Sequence, residues 1–369
     1  MTRRRWFLAS VIALALAAGG AVQGRAPAAA LPQRLTDTEF WRLIQDFSEP
    51  DGSFRSDNLV SNEDTFQFIV PDLQRLVKPG GVYVGVGPDQ NFTYIAALKP
   101  AIAFIPDIRR GNLQMHLMYK ALMEQSADRA EFLARLFSRK RPDGLTPQST
   151  AHELFAAFGA TQASDALFKQ NYQAILATLT RHGFPISEAD ARGIEYIFGN
   201  FYASGPFLQY SSFPASGRLR YPSFAELQTA TDAGGVARAY LATEDNYKTV
   251  RSLQLRNLIV PLVANFAGPK TLRAIGGWVS ERGGRVTTFY SSNVEQYLFQ
   301  DGIWGDFAEN LGALPSDVTS TFIRSCFNIC VNTTSDSRVV MLLDSVPALV
   351  RDHRAGLIHA YYDVLGRTR

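Results

Sequence analysis

Apolar positions along the chain fall into two alternating rhythms. Runs rich in apolar, β-branched and aromatic residues read as strands: Val82-Tyr83-Val84, Ala101 to Asp107, Leu258 to Gly268, and Arg285 to Glu295. Between them, apolar residues recur three or four apart, as at Leu113, Leu117, Leu122, Phe132 and Leu136, which predicts helices. Strands alternating with helices imply a mostly parallel sheet with helices on its faces, so the chain reads as an α/β, Rossmann-like fold.

The same rhythms divide the chain. Residues 31–80 read as a helical and loop segment packed on the core. Its first helix opens at Thr36-Asp37-Thr38-Glu39 before Phe40, Trp41, Leu43 and Ile44, and a second covers Asp64–Leu76. Residues 48–63 between them are polar and turn-forming. Residues 81–140 form the first half of the Rossmann-like core and 251–369 the second. Residues 141–250 form a helical insertion or cap, with helices over Ser149–Phe158, Ser164–His182 and Ser187–Tyr202, each opened by a capping Ser. The aromatic-rich loop Ser204–Tyr221 belongs either over a ligand site or in the core. A further buried strand is expected around Phe322–Val331. It would carry Cys326 and Cys330 as two buried thiols, since residues four apart on one strand face the same side but are too distant to bridge without a bend.

Residues 1–30 have the pattern of a removable signal peptide: Arg3-Arg4-Arg5, an apolar stretch from Trp6 to Ala18, then small residues. Arg4-Arg5-Trp6-Phe7-Leu8 fits a twin-arginine signal as well as an ordinary secretory one. The apolar stretch is shorter than the ~20 residues that span a bilayer, so no stable membrane span is expected after signal removal. The expected location is periplasmic or secreted, in a bacterium.

Composition narrows the function classes. Hydrophobic residues at 46% and aromatics at 12% support a packed globule, and three of the charges behind the formal +3 lie in the signal segment, leaving a near-neutral remainder. Without a basic run, no nucleic-acid partner is expected. None of the five His has metal-type spacing, so no metal is predicted, and there is no G-x-S-x-G elbow to support a hydrolase.

The informative stretch is Lys78 to Asn112. The turn Lys78-Pro79-Gly80-Gly81 feeds a strand that ends in Gly85-Val86-Gly87-Pro88-Asp89-Gln90-Asn91 and continues as a helix, the order of a nucleotide-binding unit. The next strand ends on Asp107, twenty residues beyond Gly87, where a carboxylate meets ribose hydroxyls in such units. The loop is G-x-G-P without a third glycine, which suits an adenosine-type ligand better than a pyrophosphate. Arg109 and Arg110 open the next helix against its dipole, either because an acidic or phosphorylated group lies nearby or because one of them pairs with Asp107 or Glu63. His116, on an apolar helix face, reads as structural, and Tyr83 and Phe289 as core. Ligands in open α/β sheets sit at the carboxyl ends of the strands, which would gather Gly85, Gly87, Asp107, Asn265, Ser291, Asn293 and Glu295 around one crevice.

The series Gly80 to Asn112, together with Asn265-Phe266-Ala267-Gly268, Phe289-Tyr290-Ser291-Ser292-Asn293-Val294-Glu295 and Ser56-Asp57-Asn58-Leu59-Val60-Ser61-Asn62-Glu63, resembles an uncharacterised bacterial protein family. The core of that family is of the class I S-adenosylmethionine-dependent methyltransferase type. The resemblance runs over most of residues 37–367 and implies S-adenosylmethionine as cofactor, with Gly85 and Gly87 bordering its methionine moiety and Asp107 its ribose. Asp89, Asn91, Arg109 and Asn265 complete the expected binding set. Glu63, Asn293 and Glu295 are the candidate catalytic residues, with a carboxylate or Tyr290 as base. The chain has no D-P-P-Y type catalytic motif. Two functions follow as expectations: methyl transfer to an unknown small molecule, or a non-catalytic periplasmic protein that binds a ligand or partner on the same fold. Oligomeric state is not legible in the sequence.

Overall fold

The computed structural model describes residues 30–211, 221–328, 330 and 339–367; the signal segment read over residues 1–30 lies outside them except for its last residue. The chain opens with α1 (Asp37–Phe47), held by the capping box predicted from Thr36 and Glu39. The second helix, α2, is only Val70–Leu76 rather than Asp64–Leu76. Pro71 explains the late start, because its fixed φ and missing N–H suit the first turn of a helix and nothing earlier. The core begins with β1 (Val82–Gly85), α3 (Gln90–Leu98), β2 (Ile102–Asp107) and α4 (Arg110–Glu124). The long helical pattern beyond Asp107 is two helices, since Asp128 caps a separate α5 (Arg129–Leu136).

The insertion holds α6 (Ala151–Ala160), α7 (Asp165–Arg181) and α8 (Glu188–Ser204), opened by Thr150, Ser164 and Ser187. They are followed by α9 (Phe224–Thr229) and α10 (Glu244–Leu255). The chain then returns to the sheet through β3 (Ile259–Val263), α11 (Thr271–Glu281), β4 (Val286–Tyr290), α12 (Val294–Gln300), α13 (Trp304–Gly312) and β5 (Thr321–Phe327). It ends with β6 (Val339–Ser345), α14 (Val346–Arg354) and α15 (Tyr361–Leu365).

The six strands lie in the order β3-β2-β1-β4-β5-β6, all parallel except β6, which runs antiparallel to β5. From β1 the chain builds outward through β2 and β3, then crosses to the other side as β4. Between β1 and β4 lies the switch point at which ligands bind in open sheets of this kind. β1, β2 and β3 are buried along their whole length, as a parallel sheet covered on both faces requires.

The helices of the insertion pack beside the sheet, α8 and α7 on α4 and α10 on α3 and α4, while Tyr210 of its aromatic loop reaches over the carboxyl ends of the strands. Gly193 permits the approach of α8 to α4, since a Cβ there would meet the Gln114 side chain of α4. The two cysteines are disulfide-bonded, with Cα atoms 6.0 Å apart, which corrects the expectation of two thiols. The strand stops at Phe327, and Asn328 in the left-handed region (φ 61°) supplies the bend that brings Cys330 back.

Candidate functional site

A crevice of about 230 Å³ opens above the carboxyl ends of β1, β2, β3 and β4. Its wall includes Gly87, Asp107, Arg109, Asn265 and Asn293 from the predicted set. Glu63 joins them from the segment 48–63, which runs as a strap across these strand ends and adds Ser53, Phe54, Asn58, Ser61 and Asn62. The strap is anchored by acids on backbone N–H groups. The Glu49 carboxylate accepts from Asn265 N at 3.0 Å, and from Lys270 N and Thr271 N at 2.8 and 3.0 Å, at the start of α11. Asp51 accepts from Arg110 N at 2.7 Å, at the start of α4. Each carboxylate thus satisfies amides that a helix start leaves without intrahelical partners.

The two glycines of the loop have different reasons to be glycine. Gly87 has φ 86° and open space where a side chain would stand, so its backbone faces the crevice. Gly85 is demanded by packing, because a Cβ would collide with Asn91 and Tyr83. Asn91 does not line the crevice. Its Nδ2 donates to the carbonyls of Val86, Gly87 and Pro88 at 2.9, 3.2 and 2.8 Å, bracing the loop from behind. His116 adds a bond from Nε2 to Gly87 O at 2.9 Å; burial holds its pKa down at about 4, so the ring stays neutral and structural.

Asp89 also points away from the crevice. It is buried, accepts from Gln228 Nε2 at 3.0 Å, and burial pushes its pKa up to about 7. Asp107 lies on the crevice wall but is gripped by Arg109, whose backbone N, Nε and Nη2 donate to it at 2.9, 3.1 and 3.1 Å. The remaining Arg109 nitrogen, Nη1, donates to Asp57 O. Of the two readings of Arg109, the structure has the one in which it pairs with Asp107, while Arg110 pairs with Asp190 at 2.7 Å.

The three candidate catalytic residues separate. Asn293 lines the crevice at the start of α12. Glu295 does not. The strand expected to run through residue 295 stops at Tyr290, and α12 carries Glu295 inward to Arg324 Nε at 2.6 Å and Trp304 Nε1 at 3.1 Å. Arg324 bonds Asp344 as well, at 3.2 Å, making a buried knot under the β5–β6 edge.

Glu63 is as deeply buried as Glu295, at 1% exposure each, but it meets neutral donors: Gln90 Nε2 at 2.5 Å, Tyr290 Oη at 2.8 Å and Ser292 Oγ at 2.5 Å. Burial, reinforced by the negative Glu63, pushes the Tyr290 hydroxyl well above its ordinary range. Tyr290 is therefore a donor to Glu63 and not the base the sequence reading allowed.

Sequence reasoning missed Gln90 and Ser292, the donors around Glu63, and the apolar wall of Ile108, Phe266, Leu298 and Ile303. Among the described residues no group of His, Cys, Asp and Glu could hold a metal ion. No described helix is long and apolar enough to cross a membrane.

With the crevice defined, comparison with known families places the chain. It belongs to the family described as Domain of unknown function (DUF7790). The DUF7790 match covers residues 58–202 and 210–353, so it includes Glu63, the Gly87 loop, Asp107 and the Glu295–Arg324 knot, and begins within the strap, past Glu49 and Asp51. No curated protein matches the chain. The resemblance to a methyltransferase-like family thus narrows, for DUF7790, to an α/β core that is compatible with one.

Proposed function

We propose that the protein is an exported binder of a nucleoside-type small molecule at the β1/β4 crevice, with methyl transfer from S-adenosylmethionine as its reaction. The observation that carries this is the convergence at the switch point of the open Gly87 backbone, the Glu63 carboxylate and Asp107. Export rests on the sequence of residues 1–30, and the Cys326–Cys330 disulfide suits an oxidising compartment.

The residues present fit S-adenosylmethionine in their donor chemistry. Among the described residues Asp107 Oδ2 accepts one bond, from Arg109, leaving a lone pair for a ribose hydroxyl. Ile108, Phe266, Leu298 and Ile303 offer an apolar wall to a base, and Glu63 offers negative charge to a sulfonium or amino group. The carboxylate of the ligand would rest on a neutral donor such as Asn293, since the one described arginine in the wall is committed to Asp107 and Asp57. The bound cofactor would supply an electrophilic methyl group. Glu63 would then hold the acceptor, and its Oε1, which takes one bond from Ser292, has room for the proton that the acceptor loses.

One observation favours a non-catalytic ligand- or partner-binding protein on the same fold: Glu63 and Asp107 both already accept several hydrogen bonds within the chain, which leaves each few lone pairs for a reacting group. Calorimetry with S-adenosylmethionine, S-adenosylhomocysteine and adenosine, on wild type and Asp107→Asn, tests the binding reading. Micromolar binding weakened about tenfold in the variant supports it. No binding of any of the three by folded wild type overturns it.

A further inference from the structure

The charge arrangement of the crevice says more about its occupant than its shape does. Three carboxylates stand in the wall, Glu63, Asp107 and Asp301, against one guanidinium, Arg109. Arg109 neutralises Asp107 and spends its last nitrogen on Asp57 O, so no described cation in the wall remains for an anionic ligand. Glu63 has no cationic partner among the described residues, although it is 1% exposed; its three partners are an amide, a phenol and a hydroxyl. Beside it, Asn58 Oδ1 is buried without a hydrogen-bond partner, a second acceptor in the same wall. A buried carboxylate facing a cavity without a counter-charge attracts a cation.

The phosphate sites at the starts of α3, α4 and α11 are closed as well. Helix starts above a parallel sheet attract phosphate through their exposed N–H groups. Here Asp51 occupies the start of α4 and Glu49 that of α11. The start of α3 is preceded by Pro88, which has no N–H, and by the buried Asp89. Arg55, which joins no described ion pair, lies in the adjoining groove and not in the crevice wall.

From this we infer that the crevice selects a cationic, non-phosphorylated ligand whose ammonium, quaternary ammonium or sulfonium centre sits against Glu63. The inference deepens the nucleoside reading and rests on the same crevice. Nucleotides are rejected by charge, and nucleosides carrying a positive group are preferred.

The test uses two matched pairs of probes on wild type, Glu63→Gln and Ser292→Ala. Adenosine is compared with adenosine monophosphate by calorimetry, and tetramethylammonium with inorganic phosphate by thermal shift at constant ionic strength. Wild type should bind adenosine at least about tenfold tighter than the monophosphate and be stabilised by tetramethylammonium but not by phosphate. Glu63→Gln should lose the cation effect, while Ser292→Ala, which keeps the charge, should retain it. Circular dichroism and the unliganded melting temperature confirm that both variants fold.

If neither nucleoside probe binds but tetramethylammonium still stabilises through Glu63, the nucleoside reading falls and the charge inference stands. If the monophosphate binds as tightly as adenosine, or phosphate stabilises as well as tetramethylammonium, the charge inference is overturned and the nucleoside reading stands. Absence of any tetramethylammonium effect in wild type overturns it too.

Discussion

Glu63 and Glu295 are both buried glutamates within the reach of β4, and they are treated in opposite ways. Glu295 sits in a knot with Arg324 and Asp344 beneath the β5–β6 edge, charge against charge, facing no cavity. Glu63 sits beside the crevice among neutral donors. A buried acid given a cation holds the fold, whereas one given only neutral donors and an open face leaves its counter-charge to something outside the chain. Asp89 is a third case, with neutral neighbours and no cavity, and there burial drives the proton on, with a pKa of about 7.

The sharpest way to break this comparison is at the knot. Arg324→Ala leaves Glu295 buried without its cation, with Asp344 keeping only Arg367, and should cost about 3–5 kcal/mol in denaturant unfolding. A loss below about 1 kcal/mol would mean that water or rearrangement replaces the guanidinium and that Glu295 is not the structural acid.

Asp89 gives the next effect, through pH. Its folded pKa lies above the value of an unfolded Asp, so the native state holds a proton that the unfolded chain has released. Stability therefore falls as pH rises from about 4 to 7, by up to about 4 kcal/mol from this residue. Asp89→Asn should flatten that slope and raise stability at pH 7 relative to wild type, read by thermal melts across pH. An unchanged slope would show that Asp89 is ionised in the native protein.

Removing the disulfide sharpens the edge side of the comparison. Cys326→Ser should cost about 2 kcal/mol by the chain-entropy rule for so short a loop, with adenosine affinity unchanged. A loss of affinity would show that the β5–β6 edge and the crevice are coupled.

The smallest effect on stability belongs to Glu63. Glu63→Gln keeps a hydrogen-bonding group among Gln90, Tyr290 and Ser292, and should shift unfolding by no more than about 1 kcal/mol while ligand preference changes. A loss as large as that of Arg324→Ala would put Glu63 in the same structural class as Glu295.

The sequence made the parallel core legible because buried strands of this kind are continuous apolar runs, and β1 to β5 each contain one. β6 was not read. Val339–Ser345 passes directly into α14, and only Asp344-Ser345 and Pro347 interrupt an otherwise apolar stretch, too little to separate a strand from a helix. The crevice was legible where it depends on strand ends, which fix Gly87, Asp107 and Asn265. It was not legible where it depends on side-chain direction. Glu295 needed the turn after Tyr290 to be recognised, and Asp89 and Asn91 share the loop with Gly87 yet face the core. The clasps of the strap join Glu49 to amides more than two hundred residues away, and no local pattern carries such a pairing.

That separation has a consequence for assembly. The segment that walls the crevice emerges early in synthesis, but the amides that hold it belong to the turn before α11 and become available only after the whole insertion has been made. Closing so long a loop comes late, after local helices have formed. Until the start of α11 has been made, the strap has no clasp and the early chain offers a ligand no finished crevice.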